Sequence, residues 1–166
     1  MAALATAAVS GNGAVYSGSH MPAGYTMSGL AGILLTNGSA HFITSFQVGR
    51  EVFYNGLQQI FTGEANVSSL TSQSLAAFVP PMAKSVSGIL AAVPVSSVTT
   101  FPEVAASSAG IGQQRASLAV TNTISGLSTV DVDFRQLPIL TSQNLFWNVG
   151  NTGGSTSSLF VTSFTI

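Results

Sequence analysis

Apolar and polar residues alternate along most of this chain in short runs, separated by clusters of Gly, Asn, Ser and Pro. Such period-2 alternation marks an extended strand with one buried face and one wet face. The clearest case is Thr129-Val-Asp-Val-Asp-Phe-Arg135, where Val130, Val132 and Phe134 point one way and Asp131, Asp133 and Arg135 the other. Phe42, Thr44, Phe46 and Val48 line one face of another strand, and Val52-Phe-Tyr54 follows across a Gly49-Arg50-Glu51 turn. Asn55-Gly56 is a strong turn signal, because tight hairpins demand positive φ. Arg115 to Val120 predicts a further strand. Leu145 to Val149 and Leu159 to Ile166 predict two more, flanking Gly150 to Thr156 as a hairpin with a long tip. These last two carry bulky residues on both sides, which places them centrally in a sheet or at a subunit interface.

Helical evidence is thin. Residues Val67 to Phe78 have room for a turn or two before Pro80-Pro81 stops them, and β-branched residues and glycine argue against long helices elsewhere. One internal echo exists: Met21-Pro-Ala-Gly-Tyr to Leu34 and Val79-Pro-Pro-Met-Ala to Leu90 each read as a proline turn feeding a small-residue apolar strand. Shared turn chemistry explains it as well as a repeat does. Many short strands with regular turns predict an all-β fold, an antiparallel β-sandwich or jelly-roll-like domain. Its bounds are residues 14–166, preceded by a small-residue arm over residues 1–13. That opening, Met1 to Val9, is apolar like a secretory leader but has no cationic start, the first charge being Arg50.

Charge changes the picture most. Only 5% of the 166 residues are charged, against about 25% in an ordinary soluble domain. Such a surface is poorly protected against association. Either partners cover much of it or the abundant Ser, Thr, Asn, Gln and Gly keep it soluble, and both can hold together. The four cations are scattered, so no nucleic-acid surface is expected. No stretch of about 18 unbroken apolar residues exists, so no membrane insertion is expected either. The chain has no cysteine, which removes disulfides, thiolate nucleophiles and Cys-based zinc sites.

Candidate chemistry is sparse. His20 and His41 are the only histidines, and with Asp131 and Asp133 they are the one conceivable metal set. Their spacing matches no ligand motif, and Arg135 beside the two aspartates suggests a solvated or inter-subunit charge row. No Gly-x-Ser-x-Gly elbow is present. The five acids lack the placed pair a glycosidase needs. Gly110-Ile-Gly112 lacks the third glycine and βαβ context of a phosphate loop, so it reads as a plain loop. Asn37-Gly-Ser39 and Asn66-Val-Ser68 match glycosylation triplets, which arise often by chance. Tyr16, Tyr25, Tyr54 and Trp147 are the residues able to stack on sugar rings, and core packing is the alternative for each, above all for Trp147. No enzyme activity and no cofactor are expected, and no catalytic, metal or ligand-binding residue is assigned.

One run of motifs resembles a known family. Ala14-Val-Tyr-Ser17, Met21-Pro-Ala-Gly-Tyr-Thr26, Leu30-Ala-Gly-Ile-Leu34, His41-Phe42, Phe46-Gln-Val-Gly49 and Glu51-Val-Phe-Tyr54 follow in order. The order is similar to that in the distal, receptor-binding domains of tailed-bacteriophage tail fibres. There a P-x-G-Y-T turn leads to a strand with I-G and then to F-x-Q-x-G-(D/E)-x-(F/Y). The resemblance covers residues 14–54 well and 75–166 loosely, through Phe78-Val-Pro-Pro-Met-Ala-Lys84 and a closing Leu159 to Phe164. It departs at Met27-Ser-Gly29, where the family carries an arginine pair, and at Ser163-Phe164, where it ends on Gly-Trp. The resemblance implies a homotrimeric virion protein whose exposed loops meet a host-cell surface glycan or protein. The chain is short for a whole fibre and has no coiled-coil shaft. A capsid-associated protein, either cement, decoration or jelly-roll shell, therefore stands nearly level as the alternative. A bacterial surface adhesin or lectin module comes third.

Overall fold

A computed structural model describes residues 33, 35–36, 41–65, 67–94, 99–119, 129–150 and 155–166. The segment from Leu35 to Ile166 forms one compact unit, separate from residues 1–34. The expected arm over residues 1–13 and the start of the domain at residue 14 lie outside the described residues.

Among the described residues there is no helix; the unit is all-β, a sandwich of two antiparallel sheets. Sheet one is built from β1 (Ser45–Val48), β2 (Glu51–Ala65), β4 (Ser85–Pro94), β8 (Val130–Pro138) and β10 (Ser155–Thr165), in the order β1-β2-β10-β4-β8. Sheet two holds β3 (Thr71–Ser74), β5 (Thr99–Ala105), β6 (Gln114–Arg115) and β9 (Asn144–Gly150), in the order β3-β9-β5-β6, with β7 (Leu118–Ala119) also on β5. The pairing is that of one long antiparallel ribbon folded over itself. β2 pairs with β10, β3 with β9, β4 with β8, and β5 with β6 and β7.

Alternation explains most of these strands. In β4 every second residue from Val86 to Pro94 is buried, and in β8 Val130, Val132 and Phe134 turn inward while Asp131, Asp133 and Arg135 face out. Sheet two supplies Val104, Leu145, Trp147 and Val149 to the core, each at most 4% exposed. Each such side chain contributes about 1.5–3 kcal/mol by leaving water. The expected strand from Arg115 to Val120 is broken into β6 and β7. Its partner at the break is Pro102: Ala116 N–H donates to Pro102 O at 3.2 Å, and proline has no N–H to return the bond.

Close packing within sheet one and one side-chain bridge to sheet two fix the β4–β8 region. Gly88 on β4 lies so close to β10 and β8 that a Cβ would sit 2.1 Å from Phe160 O and 2.6 Å from Phe134 Cζ. Next to it β8 bulges, with Gln136 at φ 46°. The bulge frees backbone groups, and side chains take them up. Ser87 Oγ accepts from Gln136 N–H at 3.0 Å. Gln114 of β6 reaches across to accept from Arg135 N–H and donate to Arg135 O, both at 3.0 Å.

Several expectations are corrected. Asn55-Gly56 does not close a hairpin. It lies inside the long β2, where the pairing with β10 jumps from Phe53 to Gln58 and Gly56 takes φ 101°. The positive φ that the pair favours is used for a bulge that bends one strand. The β1–β2 hairpin turns at Gly49-Arg50, where the sequence places it, with Gly49 at φ 60°. Residues Val67 to Phe78 hold the short strand β3 and then a single turn, Val79 N–H to Leu75 O at 2.8 Å. β9 and β10 are not a hairpin, because they belong to different sheets. Each is central in its own sheet, which is why both faces carry bulk. The later half of the internal echo is a proline turn feeding β4; the earlier half lies outside the described residues.

Candidate functional site

Two surfaces stand out, one on the outer face of each sheet. On sheet one, β1 turns its apolar residues away from the core. Phe42 is 72%, Phe46 58% and Val48 63% exposed. Register puts Phe46 opposite Phe53 on this outer face, and the two rings stack at 5.0 Å and 12°. The face continues through Ser163, Phe160 and Ser158 of β10 and Ser87, Ile89, Ala91 and Val93 of β4, all in register. Across β10 and β4 it carries no charge. Glu51 sits at one end, accepting from Ser163 Oγ at 2.8 Å, and Asp131 and Asp133 of β8 lie at the other edge.

On sheet two, three strands bring polar side chains into one row. Asn148 of β9 pairs with Glu103 of β5, and Glu103 pairs with Arg115 of β6. Directly paired residues project to the same face. Glu103 Oε1 accepts from Asn148 Nδ2, and its Oε2 accepts from Gln113 Nε2. Glu103 makes no ion pair with Arg115. The guanidinium lies instead over the Phe101 ring, 4.3 Å from its centroid. Asn148 is 8% exposed, and its Oδ1 has no hydrogen-bond partner.

The loop before β6 fixes Gln113. Gly110 and Gly112 take φ 78° and 67°, Ser107 Oγ accepts from the N–H of Ala109 and Ile111, and Gln113 N–H donates to Gly110 O. Gly110-Ile-Gly112 is thus a tight turn of the β5–β6 connection, as its residue order implies.

The residues singled out from sequence fall apart in space. Asp133 pairs with Arg135 at 2.7 Å on the exposed face of β8, a solvated charge row, and the paired aspartate raises the Arg135 pKa further above its ordinary value. No group of three or more metal-binding side chains occurs among the described residues. His41 is exposed, and His20, Tyr16, Tyr25, Asn37 and Asn66 lie outside the described residues. Trp147 is core, packed on Phe61 at 4.6 Å. Tyr54 is not a surface aromatic: it is 6% exposed and its hydroxyl donates to Phe78 O, so burial lifts its pKa well above the ordinary value. Glu103, Gln113, Arg115 and Asn148 carry no sequence motif. The usable sign was that Phe101 and Glu103 share a face by period 2 and that residues 110–112 fold Arg115 back beside them.

No family model, no curated protein and no solved structure matches the chain.

Proposed function

We propose that this chain is a non-enzymatic virion structural protein of a tailed bacteriophage. It acts as a tail-fibre-like, homotrimeric domain in host attachment. The observation that carries the reading is the partly apolar outer face of sheet one, uncharged across β10 and β4, on a chain with 5% charged residues. From the exposures of Phe42, Phe46 and Val48, these three leave roughly 350 Å² of side chain in water. Covering it returns about 9 kcal/mol, within the range of about 4–15 kcal/mol that association costs. A stable assembly therefore draws in the rest of the face, Phe53, Phe160, Ile89 and Val93. The motif order over residues 14–54 supports the fibre assignment within this class.

A second reading has its own observation. The ribbon pairing of β2 with β10, β3 with β9, β4 with β8 and β5 with β6 and β7 supports a jelly-roll reading, a plan common in viral shells and lectins. It favours a capsid-associated protein. Labelled chain mixed with bacterial host cells and with assembled phage heads separates the two. Binding to cells supports attachment, binding to heads supports the capsid role, and binding to neither overturns both.

A further inference from the structure

The row Asn148–Glu103–Arg115 on sheet two is a cluster with unspent hydrogen-bonding capacity. A carboxylate only accepts, so Asn148 must turn its Nδ2 toward Glu103, and this leaves Oδ1 as the unpartnered acceptor of the amide. That acceptor is buried without a donor, a condition native proteins rarely leave standing. At the other end of the row the Arg115 guanidinium lies over the Phe101 ring, and none of its N–H groups has a hydrogen-bond acceptor among the described residues. The row crosses three strands, which sets its ends about 10 Å apart.

We infer that this face is a binding site for a neutral polyol, a pyranose presenting adjacent hydroxyls. Charge decides the class. An anion would find Arg115 but meet the Glu103 carboxylate and the Asn148 carbonyl. A cation would find Glu103 but meet Arg115. A sugar hydroxyl both donates and accepts, so one ligand satisfies Asn148 Oδ1 and Glu103 while taking N–H bonds from Arg115. Gln113 stands in for it in the free protein. Its exposed amide occupies Glu103 Oε2, and it swings off that oxygen to uncover the row. The inference rests on the attachment reading for the biological source of the sugar, though its geometry belongs to this chain alone.

The test is a titration of the isotope-labelled full chain with the methyl glycosides of glucose, galactose and mannose at millimolar concentration, followed by NMR. Sodium phosphate and lysine methyl ester serve as the anionic and cationic probes. At least one glycoside shifts the side-chain N–H signals of Asn148, Gln113 and Arg115 together. R115A weakens that glycoside by roughly tenfold, the loss of a charge-assisted hydrogen bond, while Q113A binds it more tightly than the parent chain. Arg115 and Gln113 are exposed, so both variants keep the fold. The inference is overturned if no glycoside moves these signals, if phosphate or the lysine ester moves them at lower concentration, or if R115A binds unchanged. Oligomeric mass does not enter this readout: a trimer that ignores sugars sinks the site, and a monomer that binds them sinks the assembly.

Discussion

Replacing Gly88 with alanine probes the point where β10 and β8 close most tightly on β4. The added Cβ would meet a backbone oxygen, Phe160 O, at 2.1 Å and the fully buried Phe134 ring at 2.6 Å. The ring tip has no space to retreat into, and Phe160 is held in register between Ile89 and Gln59. Overpacking of a core ordinarily costs about 1–3 kcal/mol, and two simultaneous clashes, one with backbone, place this change near 3 kcal/mol. Unfolding entropy is about 2.1 cal/mol/K per residue, which over a unit spanning Leu35–Ile166 gives roughly 0.3 kcal/mol/K and a melting point lowered by about 10 °C. The control is Gly150→Ala, where the new Cβ meets only Phe101 Cβ at 4.0 Å, an ordinary contact. Reduced freedom of the unfolded chain makes that change stabilising by about 0.4–1 kcal/mol. Both are read by thermal melts followed by circular dichroism at one chain concentration. If Gly88→Ala melts within about 2 °C of the parent, or if Gly150→Ala falls as far, the packing derived for the β10–β4–β8 layer is wrong.

Three further changes follow from the same structure. Phe46→Glu puts a charge on the stacked, 58% exposed ring; it should dissociate the assembly in sedimentation while the circular dichroism spectrum of the folded chain persists. Gln114→Ala removes both bonds to the Arg135 backbone and should cost about 1 kcal/mol in a urea titration, since water reaches the exposed bulge and replaces part of the loss. Tyr54→Phe tests the buried phenol. Folding raises its pKa, so above about pH 10 the unfolded chain releases a proton that the folded chain retains, and stability falls as pH rises. The phenylalanine variant should show a shallower decline there in urea midpoints measured against pH.

Strands were legible wherever burial follows the pleat. Val130, Val132 and Phe134 announce β8 because a half-buried strand has to alternate, whereas β4 showed only as a small-residue apolar stretch after Pro80-Pro81 and β10 as a run bulky on both sides. What alternation does not encode is which strand lies beside which. Leu145 to Val149 and Leu159 to Ile166 are close in sequence and look like a hairpin, but the ribbon winding sends them to opposite sheets. Asn55-Gly56 was misread because a preference for positive φ serves a bulge as well as a turn. The Glu103 row was invisible for a related reason: Asn148, Glu103 and Arg115 are brought together only by the pairing of β9, β5 and β6. Phe42, Phe46 and Val48 were recognisable as one face, yet the sequence has no mark that says whether an apolar face meets its own core or a neighbour.

On the proposed reading, other copies of this chain cover the outer face of sheet one. Native mass spectrometry of the purified full chain at micromolar concentration tests it most directly. A homotrimer gives a dominant species of three chain masses, each 16.9 kDa, that is lost in Phe46→Glu. A dominant single chain mass in the parent protein would contradict it.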